Sequence, residues 1–147
     1  MKNDARELSI KILINFENTY KQLNEIQNNF FLNNSYNNRV KSRSKVLTNE
    51  IIRFKGRIDY IIEKVSGKKI KNFNKDLISI LRIAFYEVLF DPNIPDYASV
   101  NTAVDLTKAK LNKKAAGLTN AILRKLIRIK DSKKNWDEKF KNDKKWN

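Results

Sequence analysis

Hydrophobic residues recur at spacings of three and four along most of the chain, which is the period of an amphipathic α-helix. The first stripe predicts a helix through residue 20, with members four residues apart. They are Leu8, Ile12, Phe16 and Tyr20. A second short stripe over residues 23–32 predicts another helix. Residues 33–45 are rich in Asn and Ser, whose side chains compete for backbone hydrogen bonds, so we predict a loop there.

The longest hydrophobic stripe steps by 4, 3, 4, 3 and 4 residues, which predicts one continuous helix over residues 47–65. Its members are Leu47, Ile51, Phe54, Ile58, Ile61 and Val65. Ser66 and Gly67 follow directly. We expect the helix to end there, because glycine adopts the left-handed conformation of a helix C-terminus without strain.

Three further stripes complete the pattern. The first covers residues 77–89 and should end before Asp91-Pro92, because the residue before a proline disfavours the helical conformation. A rigid loop with two prolines follows over residues 91–96. The other two stripes cover residues 100–111 and 118–129. No strand-like alternation occurs beside these stripes, so the predicted fold class is all-α with about seven helices.

Positive charge is concentrated near the C-terminus. The chain of 147 residues has 31 Lys and Arg against 16 Asp and Glu, a net charge of +15. Residues 108–147 contain 14 of the basic and 4 of the acidic residues, so they carry +10 of that charge. Such an excess predicts attraction to polyanions such as nucleic acid or an anionic membrane surface. Among the lysines of the tail, Trp136, Phe140 and Trp146 either pack on the core or offer a stacking platform.

Cysteine and histidine are both missing from the sequence, which reduces the kinds of catalytic and metal-binding site that the chain can form. The chain contains no Cys and no His, which excludes disulfides, thiolate or imidazole metal ligands and the most common nucleophile and general base. We find no catalytic constellation and predict a protein that is not an enzyme and needs no cofactor or metal. No apolar run is long enough to span a membrane and the N-terminus lacks the pattern of a signal peptide, so we expect a cytoplasmic protein.

Three segments in order carry a resemblance to a known family. They are Ile80–Phe90, Ile94–Leu106 and Lys114–Arg124. Together with Ala5-Arg6-Glu7 they resemble the NusB-like helical domain, which occurs alone as a transcription antitermination factor and also as the N-terminal RNA-binding part of an rRNA cytosine-5 methyltransferase. The resemblance implies two packed sub-bundles of helices within a domain at residues 1–130. Residues 131–147 then form a basic tail, either a helical extension or disordered.

The segments Lys114–Arg124 and Arg53–Asp59 are more similar to the methyltransferase branch. Our main expectation is therefore a non-catalytic protein that binds ribosomal RNA or its precursor, as a free-standing relative of that N-terminal domain. Neither the catalytic domain of the methyltransferase nor its cysteine nucleophile is present. One alternative is an antitermination factor that binds RNA with a ribosomal protein or a transcription complex. The other is an adaptor that docks a separate methyltransferase.

The candidate RNA-binding residues are mostly basic and lie in or near the segments that carry the resemblance. They are Lys2, Arg6, Arg82, Lys113, Lys114, Asn120, Arg124, Lys125 and Arg128. Each has a structural alternative. Arg82 and Arg124 could pair with Glu87 or Asp105, Asn120 could tie a helix end to a loop, and the basic residues could form an ordinary solvated face.

One further position also has two interpretations. Gly117 lies at the start of the last predicted stripe. It either allows close helix packing or a bend, or lets an RNA backbone approach.

Overall fold

The computed structural model describes residues 4–32 and 35–132, and the regular structure in these ranges is entirely helical. Seven α-helices follow one another along this part of the chain, with a short 3₁₀ helix at Ile70–Asn72 between the fourth and the fifth. The α-helices are α1 Ala5–Asn18, α2 Leu23–Phe31, α3 Asn38–Arg53, α4 Lys55–Ser66, α5 Lys75–Phe90, α6 Asp96–Lys110 and α7 Lys113–Ser132. The predicted all-α class with about seven helices is confirmed.

The helices form two compact units that divide between Arg53 and Phe54. The first unit contains α1 to α3, and the second contains α4 to α7. This division agrees with the two sub-bundles that the resemblance implies.

The first unit is built on α1, which packs against both α2 and α3. Its core includes Leu8, Ile12, Ile26 and Tyr36. Polar side chains are also buried here, and each has a partner, as burial requires. The Ser9 and Ser44 hydroxyls lie 2.9 Å apart, and the Gln27 amide donates to the Thr48 hydroxyl at 2.8 Å and to the Asn49 side-chain oxygen at 2.9 Å.

The second unit is built around α5, which contacts α4, α6 and α7. Eleven of its sixteen residues are buried, which explains why this segment is hydrophobic over most of its circumference. α6 and α7 pack closely against each other. Two polar contacts fix the register of these helices: the Ser99 hydroxyl donates to the Glu87 carboxylate at 2.9 Å, and the Thr107 and Thr119 hydroxyls lie 3.0 Å apart.

The predicted loop over residues 33–45 is wrong in its second half, because α3 already begins at Asn38. The Asn37 side-chain oxygen accepts a hydrogen bond from the backbone N–H of Val40 at 2.9 Å. An asparagine in this position satisfies a backbone donor of the first helical turn. The Asn-rich composition therefore starts a helix here instead of preventing one.

Two other predicted boundaries are also wrong. The helix predicted over residues 47–65 is interrupted at Phe54, whose backbone (φ −102°, ψ 15°) leaves the helical range. Helix α1 ends at Asn18, so Tyr20 lies outside it and is fully exposed. The predicted stops are confirmed: Gly67 has φ 74°, and α5 ends at Phe90, before Asp91-Pro92.

Helix α7 continues to Ser132, two residues past the boundary that we predicted at 130. The rest of the predicted tail, with Trp136, Phe140 and Trp146, lies outside the described residues, as does Lys2. Within residues 4–32 and 35–132, no helix combines the length and the apolar character that a membrane crossing requires.

Candidate nucleic-acid interface

Helix α7 has one buried face and one basic exposed face. The buried residues are Ala116, Thr119, Ile122, Leu123 and Leu126. The exposed basic residues lie on the opposite side of the helix, as a period of 3.6 residues requires. They are Lys113, Lys114, Arg124, Lys125 and Arg128, and we call them the α7 basic face. The sequence predicted all five as candidates, and the structure brings them together on one helix.

Four members of the α7 basic face are free of ion pairs within the part of the chain that the structure describes. They are Lys113, Lys114, Lys125 and Arg128. Their positive charge is therefore not neutralised by a carboxylate of the same face. An exposed, one-signed face of this kind binds condensed anions and releases counterions when a polyanion replaces them.

The N-terminus of α7 adds to the positive electrostatic potential of the α7 basic face. Asn112 caps the helix, since its side-chain oxygen accepts from the backbone N–H of Ala115 at 2.8 Å. The first turn contains no acidic residue but begins with Lys113 and Lys114. Cations at this end oppose the helix dipole and cost about 0.3–1 kcal/mol each. The same arrangement of lysines and free backbone N–H groups favours a phosphate.

Arg124 is held in place by Asn120, one turn earlier on α7. The guanidinium Nε donates to the Asn120 side-chain oxygen at 3.1 Å. This bond uses only Nε, so the two terminal nitrogens can still donate to a phosphate. Asn120 thus positions an arginine of the basic face, and this contact differs from the expected tie between a helix end and a loop.

The structure contradicts the predicted RNA-binding role of Arg82. Its side chain is only 1% exposed, and its guanidinium forms two bonds to Asp59. Nε and one terminal nitrogen lie 2.8 and 3.0 Å from the two carboxylate oxygens. Lys55 approaches the same carboxylate at 3.3 Å. Arg82 is buried and bound to Asp59 of α4, so it joins α5 to α4 and cannot reach an RNA strand.

Arg6 lies in the first turn of α1, in the first unit, and is half-buried. The α7 basic face belongs to the second unit. Sequence reasoning also missed Arg39 and Arg43, which are exposed on α3 and free of ion pairs among the described residues. Their spacing of four residues was the available signal, but the predicted loop concealed it.

Gly117 lies in the middle of the α7 basic face and is exposed. Among the residues that the structure describes, a Cβ atom at this position would meet nothing within 4 Å. The close-packing interpretation of Gly117 is therefore wrong, because no neighbouring helix requires its small size.

A groove of about 480 Å³ borders the basic face, between the N-terminal part of α6 and the C-terminal half of α7. It is lined by Asp96, Tyr97, Val100, Asn101, Arg124, Ile127, Arg128 and Asp131. Lys130 holds its two walls together, because its ammonium group lies 2.8 Å from the Asp96 carboxylate and donates to the Val88 carbonyl at 3.1 Å.

The described residues contain no group of three or more acidic side chains placed to hold a metal ion. The chemistry that this surface supports is anion binding.

Comparison with known proteins places this arrangement in a family. The family model described as "NusB family" matches residues 3–128. The chain belongs to the NusB family. Its relatives include the transcription antitermination protein NusB of Acetivibrio thermocellus, 28% identical over 139 residues, which cover 91% of this chain and 96% of the relative. The NusB protein of Ruminiclostridium cellulolyticum is 43% identical over 70 residues, 47% of this chain and 48% of that protein.

Several other NusB matches, including that of Clostridium botulinum strain Hall, span about half of the relative, 50% in that case. Solved structures show the same fold. The solution structure of NusB from Aquifex aeolicus superposes with a TM-score of 0.73 at 24% identity, over 89% of this chain and 91% of that one. A chain in the crystal structure of a plectonemic RNA supercoil superposes with a TM-score of 0.79 at 22% identity, over 89% of this chain and 96% of that one.

These relatives favour the antitermination alternative over our main expectation of a relative of the methyltransferase N-terminal domain. They are transcription antitermination proteins, and the expected closeness to the N-terminal domain of an rRNA methyltransferase is not supported by them. The antitermination alternative has the better support.

Proposed function

We propose that this NusB-family chain is a non-catalytic RNA-binding factor in transcription antitermination. The observation that carries the proposal is the α7 basic face, five exposed cations on one side of one helix. An ordinary solvated face would mix both signs of charge, whereas α7 has six basic residues and a single acidic one, Asp131. The RNA is a ribosomal RNA or its precursor, and the factor acts in the cytoplasm, where transcription takes place.

The choice of residues supports a phosphate-binding role. Lys outnumbers Arg by 23 to 8 in this chain, so an arginine is the rarer choice at a basic position. Arg124 and Arg128 are nevertheless arginines, one turn apart on the exposed face. The planar fork of arginine binds phosphate through two parallel bonds, which lysine cannot do.

We infer that a ribosomal protein binds together with the RNA. This part of the proposal rests on the resemblance to the NusB family alone. The adaptor alternative needs a large apolar surface patch. The large hydrophobic side chains exposed in the described part of the chain are Tyr20, Leu32, Val46, Tyr97 and Leu118, each on a different segment. Their distribution favours the RNA-binding proposal over the adaptor.

A matched pair of charge variants tests RNA binding. The variant Lys114→Gln/Lys125→Gln removes two charges from the α7 basic face, and Lys69→Gln/Lys71→Gln removes two exposed lysines elsewhere in the same unit. We expect the first to weaken binding of a labelled single-stranded segment of ribosomal RNA precursor roughly tenfold, and the control less than about twofold. Fluorescence anisotropy at low salt measures both.

Equal losses in the two variants would mean that only total charge matters, and would contradict the assignment of the α7 basic face. Absence of binding by the wild-type chain would overturn the proposed function. The protein partner is tested by affinity capture with the full chain and mass spectrometry. Recovery of no ribosomal protein would remove the partner from the proposal.

A further inference from the structure

The groove beside the α7 basic face contains an aromatic ring without a ring partner. Tyr97, in the first turn of α6, is 71% exposed. The two residues before Tyr97 fix the start of the helix. Pro95 is the N-cap, and the Asp96 carboxylate accepts from the Lys130 ammonium group. The Tyr97 backbone is thus anchored while its ring faces solvent. In the part of the chain that the structure describes, Tyr97 stacks on no other aromatic ring.

The other residues that line the groove have the chemical groups needed to contact the base and the phosphate of a nucleotide. Val100 and Ile127 are apolar, Asn101 carries an exposed amide, and Arg124 and Arg128 carry the positive charge. An aromatic or apolar surface takes the face of a base, an amide pairs with its edge, and guanidinium groups take a phosphate. A volume of about 480 Å³ is within the range of small-ligand sites.

Two carboxylates also line the groove, and they limit where a phosphate can lie. Asp96 is neutralised by Lys130, at 2.8 Å. Asp131 is three residues beyond Arg128 and seven beyond Arg124 on α7, about 4.5 Å and 10 Å along the helix, and forms no ion pair with either among the described residues. Both guanidinium groups are therefore available to a phosphate, and the positive charge of the groove is greatest at Arg124, the arginine farther from Asp131.

We propose that this groove holds one unpaired nucleotide of the bound RNA, with its base against Tyr97 and its phosphate at Arg124 and Arg128. The inference rests on the proposed RNA-binding function and assigns to it a nucleotide site in the groove between α6 and α7. A base within a duplex has both faces covered by its neighbours and cannot stack on Tyr97, whereas a base of a single strand can.

The test compares two exposed tyrosines of the full chain. Tyr97→Ala removes the ring from the groove, Tyr97→Phe keeps it, and Tyr20→Ala removes an exposed ring in the first unit. Anisotropy with a labelled single-stranded segment of ribosomal RNA precursor should show at least about fivefold weaker binding for Tyr97→Ala. Tyr97→Phe and Tyr20→Ala should stay within about twofold of wild type, and binding of the same sequence as a duplex should not change with Tyr97→Ala.

A second measurement locates the base directly. The same RNA with 5-iodouridine substitutions is irradiated in complex with the wild-type chain, and the crosslinked peptide is identified by mass spectrometry. We expect the crosslink at Tyr97, because the photoreaction requires contact between base and ring. A crosslink confined to other segments would overturn the inference.

The outcomes separate this inference from the proposed function. If Tyr97→Ala binds RNA like wild type while Lys114→Gln/Lys125→Gln is weakened, the nucleotide site is wrong and the RNA-binding function stands. If Tyr97→Ala loses only the ribosomal protein, the groove is a protein site and the inference is overturned. If the wild-type chain binds no RNA, the function itself fails.

Discussion

Arg82 and Arg124 show how differently two arginines behave in the same local sequence. Each follows Ile-Leu on a helix, as Ile80-Leu81-Arg82 and Ile122-Leu123-Arg124. Arg82 is buried and bound to Asp59 through both oxygens, whereas Arg124 is exposed and bound to Asn120. Both helices contact three others in their unit, so the difference arises from the face on which each arginine lies: Arg82 is on a buried face of α5, whereas Arg124 is on the exposed face of α7.

This contrast leads to a stability prediction. Arg82→Gln should lower the free energy of unfolding by about 3 kcal/mol, the lower end for breaking a buried pair, because the Asp59 carboxylate loses its bidentate partner but keeps Lys55 at 3.3 Å. Arg124→Gln, in the same tripeptide context, should change it by less than about 0.5 kcal/mol. Urea unfolding followed by circular dichroism measures both. A loss below about 1 kcal/mol for Arg82→Gln would show that the pair is not energetically important.

At the scale of the helix, the break at Phe54 illustrates a limit of periodicity. The hydrophobic stripe keeps its phase across residues 47–65, so nothing in the spacing marks an interruption. In the structure the Phe54 ring stacks on Phe90 at 5.1 Å between centroids, with 19° between the planes. Phe90 is the last residue of α5, so this contact is tertiary, and local propensity does not predict it.

Substitution of alanine for glycine should have opposite effects on stability at two positions, the C-cap of α4 and the interior of α7. Gly67 ends α4 with φ 74°, where an alanine would be strained by about 1–2 kcal/mol. Gly117 lies within α7 with open space where a Cβ would be. Gly67→Ala should therefore destabilise the protein by that amount, and Gly117→Ala should stabilise it by about 0.5–1 kcal/mol. Thermal unfolding of the two variants gives the comparison, and destabilisation by Gly117→Ala would contradict the open environment of that position.

At the scale of the whole molecule, the relevant quantity is the charge that faces a ligand rather than the total. Of the net +15, residues 108–147 carry +10. The α7 basic face supplies five of these cations on one helix. The positive charge of Lys130, in contrast, is neutralised by its ion pair with Asp96. Only the unneutralised cations contribute to counterion release.

The salt dependence of RNA binding should reflect this face. For single-stranded RNA, five phosphate contacts predict that log K falls against log salt concentration with a slope of about −3.5 or steeper. Lys114→Gln/Lys125→Gln should make the slope shallower by about 1.4, and Lys69→Gln/Lys71→Gln should leave it unchanged. Anisotropy titrations between 50 and 200 mM salt, about the range over which such contacts are lost, measure the slopes. A slope near zero for the wild-type chain would contradict electrostatic binding.

The sequence by itself determined the helical class, most helix positions and the basic end. Helical periodicity is a local property, so residues 77–89 and the stop at Gly67 could be predicted without knowledge of any neighbour. Five of the nine predicted site residues lie on the α7 basic face for the same reason, because spacing along one helix decides which side chains share a side.

Only the tertiary structure decided the rest. The burial of Arg82 depends on Asp59, 23 residues earlier, and the groove joins Tyr97 of α6 to Arg124 and Arg128 of α7. Contacts between residues so far apart in the chain arise from the packing of helices, which no local pattern encodes. The charge excess could therefore be predicted from the amino-acid sequence. The groove proposed to hold a base beside that charge could be located only from the tertiary structure.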